Sequence, residues 1–95
     1  GGEVVTKPLQ FDGNRLELNL STSAVGSLQV EIQDAAGIPI PGFALKDCRP
    51  IFGDSVARLV RWQQRDDVRP LASQTVRLRF VIRDADLFSF RFISV

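Results

Sequence analysis

The last twenty residues constrain the fold more than any other stretch of this chain. From Val76, apolar residues recur at every second position (Val76, Leu78, Phe80, Ile82), with Arg77, Arg79 and Arg83 between them. After Asp84-Ala85-Asp86, a second alternating run sets Phe88, Phe90 and Phe92 on one face and Ser89 and Arg91 on the other. Period-two alternation marks strands with one face on a core and one in water. Two such runs separated by a three-residue link predict an antiparallel hairpin.

The rest of the chain follows the same rule. Residues 4–9 read as an edge segment, because Pro8 has no N–H to give a central ladder. Asp12-Gly13-Asn14 is a turn signal, and Leu16, Leu18 and Leu20 alternate after it with Glu17 and Asn19. Ser21 to Gly26 form a small polar loop, and Leu28, Val30 and Ile32 make the next strand face. Asp34-Ala35-Ala36-Gly37 predicts a hairpin turn. Ile38-Pro39-Ile40-Pro41 is confined to an edge, since its two prolines remove two donors. Val60 and Trp62 share a face, and residues 68–71 fit a single helical turn. About seven or eight short strands with turn signals every ten residues or so predict an all-β fold, a single antiparallel β-sandwich of jelly-roll or immunoglobulin-like Greek-key type. Residues 1–95 form one domain of that kind. Its expected core is Leu16, Leu18, Leu20, Leu28, Val30, Ile32, Val60, Trp62, Val76, Leu78, Phe80, Phe88, Phe90 and Phe92.

Charge and composition exclude several functions. Twelve basic and eleven acidic residues leave a formal net charge of +1, which offers no electrostatic grip on nucleic acid or an anionic membrane. No apolar run reaches the roughly 20 residues of a membrane-spanning helix. Histidine is absent, which removes the usual metal ligand and the usual general base near neutral pH. Cys48 is the only cysteine, so no internal disulfide forms; as a thiol it reads as a buried core group without a basic partner to activate it. No cofactor, metal site or catalytic residue is expected, and the chain is read as a non-enzyme.

The residues left to weigh are aromatic and acidic. Asp66-Asp67 and Asp84-Ala85-Asp86 are paired carboxylates, but adjacent aspartates in turns generally accept hydrogen bonds from their own backbone. Calcium at such a loop is the functional alternative, and the twelve-residue calcium-loop pattern is missing. Trp62, the only tryptophan, falls in register with Val60 and reads first as core. If its ring were exposed, Trp62 with Asp66 and Asp67 would make a shallow carbohydrate site. The arginines at 77, 79, 83 and 91 read as a solvated stripe on the last hairpin.

Several segments in order, Leu28 to Gly37, Ile38 to Phe43, Gly53-Asp54, Trp62, Val76 to Phe80 and Asp84 to Phe90, resemble the C-terminal β-sandwich of a group of bacterial secreted proteins. In those proteins the sandwich follows a β-propeller of invertase-type or levanase-type glycoside hydrolases. The resemblance runs from about Leu9 to Phe92, with Phe88 where the family often has tyrosine. It implies an accessory domain excised from the C-terminal end of a larger protein, without catalytic residues of its own. Its implied partner is a catalytic propeller and its implied location extracellular or periplasmic. An autonomous carbohydrate-binding module near Trp62 is the alternative function.

Overall fold

The computed structural model describes residues 2–63 and 65–95. Four strands form one antiparallel sheet: β1 (Gly2–Val5), β2 (Arg15–Asp34), β3 (Ser55–Leu59) and β4 (Val76–Ile93), in the order β1-β4-β2-β3. The all-β expectation holds. Among the described residues, helix is limited to two 3-10 turns, Leu45–Asp47 and Arg69–Leu71, the second at the predicted single turn.

The number of strands departs from the expected seven or eight. β2 and β4 are 20 and 18 residues long and pair along their whole length, from Arg15–Ile93 to Asp34–Val76. Two elements predicted as chain reversals are therefore bends inside continuous strands. Between the pairs Thr22–Ala85 and Ser27–Arg83, β2 inserts Ser23 to Gly26 while β4 inserts only Asp84. Unequal insertion forces the ladder to fold over. Asp84 takes a left-handed φ of 49°, which aspartate tolerates better than most residues. A side chain at Gly26 would run into the Asp84 carbonyl oxygen, so the bend requires glycine there.

The fold-over is sharp. Phe80 and Phe90 are ten residues apart, about 33 Å along an extended strand, yet their ring centroids lie 5.4 Å apart. The bent ladder therefore brings residues from its two halves together around one core. Leu16, Leu18 and Leu20 meet Leu28, Val30, Ile32, Val76, Leu78 and Phe80 there, all essentially inaccessible. Segment 38–72 contributes the remaining wall through Phe43, Cys48, Ile51, Val60, Trp62, Val68 and Leu71.

Eleven of the fourteen expected core residues are fully buried, and Phe90 and Phe92 pack against them partly exposed. Phe88 is the exception, 63% exposed. Leu20 pairs with Leu87 and Asn19 with Ser89, so Phe88 is an extra residue in β4. In a structure of period two, one inserted residue sends a side chain to the other face.

Two rings of similar sequence setting should therefore behave differently. Phe80→Ala is expected to cost about 3–5 kcal/mol, much of the roughly 5–15 kcal/mol available to a domain of this size. Phe88→Ala should fall within about 0.5 kcal/mol of wild type. Urea denaturation of both variants checks this; equal losses would mean that Phe88 belongs to the core.

Candidate functional site

Trp62 is a core residue. It is 1% exposed, its indole N–H donates to the Val30 carbonyl at 2.9 Å, and Phe43 meets it edge-on at 5.3 Å between centroids. A groove of about 290 Å³ opens beside it between Gly42, Asp47, Gln63 and Arg65, but the ring contributes almost no surface. Stacking a sugar on Trp62, as the sequence reading allowed, has no face available.

Asp66 and Asp67 do not join that groove. Both turn towards the start of β2, where Arg15 Nε lies 3.2 Å from Asp66 Oδ1 and Arg15 Nη1 3.7 Å from Asp67 Oδ1. Asp67 also accepts the Arg69 backbone N–H at 2.8 Å, the local turn chemistry expected of it. The three predicted ligand-binding residues are thus divided between core and turn. Among the described residues, no cluster of three or more histidine, cysteine or carboxylate groups is placed to hold a metal ion.

The arginine stripe is largely engaged. Arg91 Nε donates to Glu17 at 2.7 Å, and Arg77 reaches the carbonyls of Ala35 and Thr6. Arg79 spans the sheet, with Nη2 on Glu3 at 3.0 Å and Nη1 on Glu31 at 3.4 Å. Glu31 is 4% exposed and also accepts from the Leu45 N–H and from Gln33 Nε2. Its burial escapes a sequence reading because Glu31 sits on the expected solvent face, which the segment around Leu45 covers.

An apolar opening that the sequence did not reveal lies on the far side of β4. β1 pairs with Arg79 to Ile82 only. Beyond Arg83, β4 has β2 on one side and, among the described residues, no strand on the other. A cavity of about 420 Å³ opens at that edge, lined by Val4, Thr6, Phe80, Ile82, Leu87, Phe88, Ser89 and Phe90. Val4 is 52% exposed at its rim. Its lining is mainly apolar, and none of the residues named carries a charge. Its chemistry suits burial against another apolar surface.

Compared with protein families, with characterised proteins and with solved structures, the chain matches none. Among the described residues, no helix is long and apolar enough to cross a membrane.

Cys48 sits under this architecture as an inert thiol. Its sulfur accepts the Val30 N–H at 3.3 Å, and burial pushes its pKa up to about 11. The native protein at pH 8 should therefore resist a chromogenic disulfide reagent, with labelling at least about 100-fold slower than after unfolding. Because the folded pKa is the higher one, stability is fully present below the ordinary value of 9.0 and declines as pH rises towards about 11. Rapid stoichiometric labelling of folded protein would contradict the burial of Cys48.

Proposed function

We propose that this chain is a non-catalytic accessory module that packs against a sugar-active domain through the open side of β4. The observation that carries this reading is the apolar cavity of about 420 Å³ beside an unpaired strand edge, with Val4 and Phe88 exposed around it. Apolar side chains gathered beside an open strand edge are suited to being covered by another surface. The identity of the partner, a catalytic propeller, rests on the resemblance to levanase-type proteins, as does an extracellular or periplasmic location. The all-β fold, a single four-stranded antiparallel sheet, is compatible with an accessory module. Absence of histidine and the inert Cys48 support a role without catalysis. The carbohydrate site centred on Trp62 loses its support with the burial of that ring.

Docking at the β4 edge should be visible as protection. Hydrogen exchange of the full-length gene product, compared with that of this chain alone, should show amides between Ala85 and Phe92 slowed by at least about tenfold, a coupling of about 1.4 kcal/mol. Identical exchange in the two samples would overturn the reading. Calorimetry against fructan, xylan, cellulose and galactan should detect nothing tighter than about millimolar, or about 4 kcal/mol. A micromolar complex would make the chain an autonomous binding module instead.

A further inference from the structure

Asn19 and Leu20 lie between two irregularities. On the β4 side, Phe88 is inserted between the partners of Asn19 and Leu20. On the β3 side, Leu18 pairs with Arg58 but Leu20 with Ser55, so β3 also carries one extra residue at the same level. Two bulges that meet on one dipeptide re-aim side chains from both neighbouring strands. The residues they expose are apolar: Phe88 at 63% and Val56 at 78%. Between them is a shallow groove of about 630 Å³, bordered by Asn19, Asp54 and Ser55, a size within the usual range for small-ligand sites.

The polar groups beside the ring retain hydrogen-bonding capacity. No hydrogen bond involves the Asn19 side chain among the described residues, which leaves an acceptor and two donors. Asp54 uses Oδ1 for Ser21 Oγ at 2.8 Å and the Thr22 N–H at 3.2 Å, which fixes the carboxylate and leaves Oδ2 as an acceptor. Ser55 Oγ accepts the Ala57 N–H at 3.2 Å, and its hydroxyl proton remains to donate. An aromatic face flanked by fixed donors and acceptors matches a sugar ring, whose C–H face is apolar and whose rim is hydroxylated. The Asp54 charge, with no basic side chain lining the groove, disfavours an anionic ligand.

We propose that these paired bulges build a shallow site for a neutral saccharide unit. Phe88 is the stacking platform, Val56 its apolar flank, and Asn19, Asp54 and Ser55 the hydroxyl-binding groups. The groove shares Phe88 with the apolar opening, so a partner docked at the β4 edge and a saccharide would compete for that ring, and the site is tested in the chain without a partner. One ring and few polar contacts limit the affinity to the millimolar range, about 1–30 mM.

The test is a ¹H-¹⁵N titration of the 95-residue chain with glucose, galactose, xylose, fructose and short β-linked oligomers of xylose and fructose, each to about 50 mM. At least one should give saturable shifts at the Asn19 side-chain amide and at the backbone amides of residues 54–56 and 87–89. Phe88→Ser should abolish them at unchanged melting temperature, because the ring is exposed; Phe88→Trp should tighten binding about threefold. Silence across the panel, shifts that survive Phe88→Ser, or shifts that follow protein concentration rather than sugar would each overturn the site. A silent titration leaves the hydrogen-exchange result, and so the docking reading, untouched.

Discussion

Everything in this structure depends on one ladder, the pairing of β2 with β4 and its fold-over at Ser23–Gly26 and Asp84. A flat two-stranded ribbon of this length would expose both faces and be unstable in water. Bending it in the middle turns the inner face of one half against the inner face of the other. Leu16, Leu18 and Leu20 then gain Leu28, Val30 and Ile32 from the same strand as core neighbours. The bend is thus the step that converts local alternation into a core, and Gly26 is its steric requirement. It also makes the topology non-local: Arg15 pairs with Ile93 only once most of the chain lies between them, a feature of slow-folding β proteins.

The two outer edges of that ladder are treated very differently. Along β2 the edge is covered on both sides of the bend, by Ile38 at Asp34, Phe43 and Ile40 at Ile32, Ile51 at Leu28, β3 at Leu20 to Glu17, and Val60 at Leu16. Those contacts explain why a proline-rich segment borders the sheet: Pro39 and Pro41 need no ladder donors where alternate residues such as Ile40 supply them. They also bury Glu31, whose carboxylate is satisfied by the Leu45 N–H, Gln33 and Arg79. Along β4, among the described residues, the edge is sealed by Leu9, Thr6 and β1, as far as Ile82. There the charged support is lighter. Arg79 holds the exposed Glu3 carboxyl below the usual range, so that pair's stabilisation is lost as pH falls through the lowered pKa.

Much of this was legible in the residues, and the failures share one cause. Alternation identified the inward faces from Leu16 to Leu20, Leu28 to Ile32 and Val76 to Phe80 correctly: the last two pair in unbroken register, and in the first the extra residues fall on the partner strands. Asp34 to Gly37 behaved as a turn, with Asp34 Oδ1 accepting the N–H groups of Ala36 and Ile38. Trp62 followed its register with Val60 into the core. The reading failed where the partner strand decides the outcome. Whether Asp84-Ala85-Asp86 reverses the chain or bends a strand depends on what Ser23 to Gly26 do opposite it. Phe88 is sent outward by its lack of a partner between Leu20 and Asn19, and nothing within β4 itself records that. The site residues Asp66 and Asp67 were correctly suspected of turn chemistry, but Arg15, which anchors them, lies far away in sequence, near the start of β2.

The asymmetry between the edges bears directly on function. A bulge and nearby charges blunt a strand edge against indiscriminate pairing, and β4 has both, at Phe88 and at Asp84, Asp86 and Arg91. Protection of that kind normally accompanies polar side chains. Here it accompanies Phe88 beside an apolar cavity, with Val4 across the opening. Water alone would favour polar residues at these exposed positions, since burying them elsewhere contributes nothing to this core. The sheet is thus guarded against another edge strand while it keeps apolar surface beside that edge. In the proposed docking, a partner would cover Val4, Leu87 and Phe90 by side-chain contact without extending the ladder.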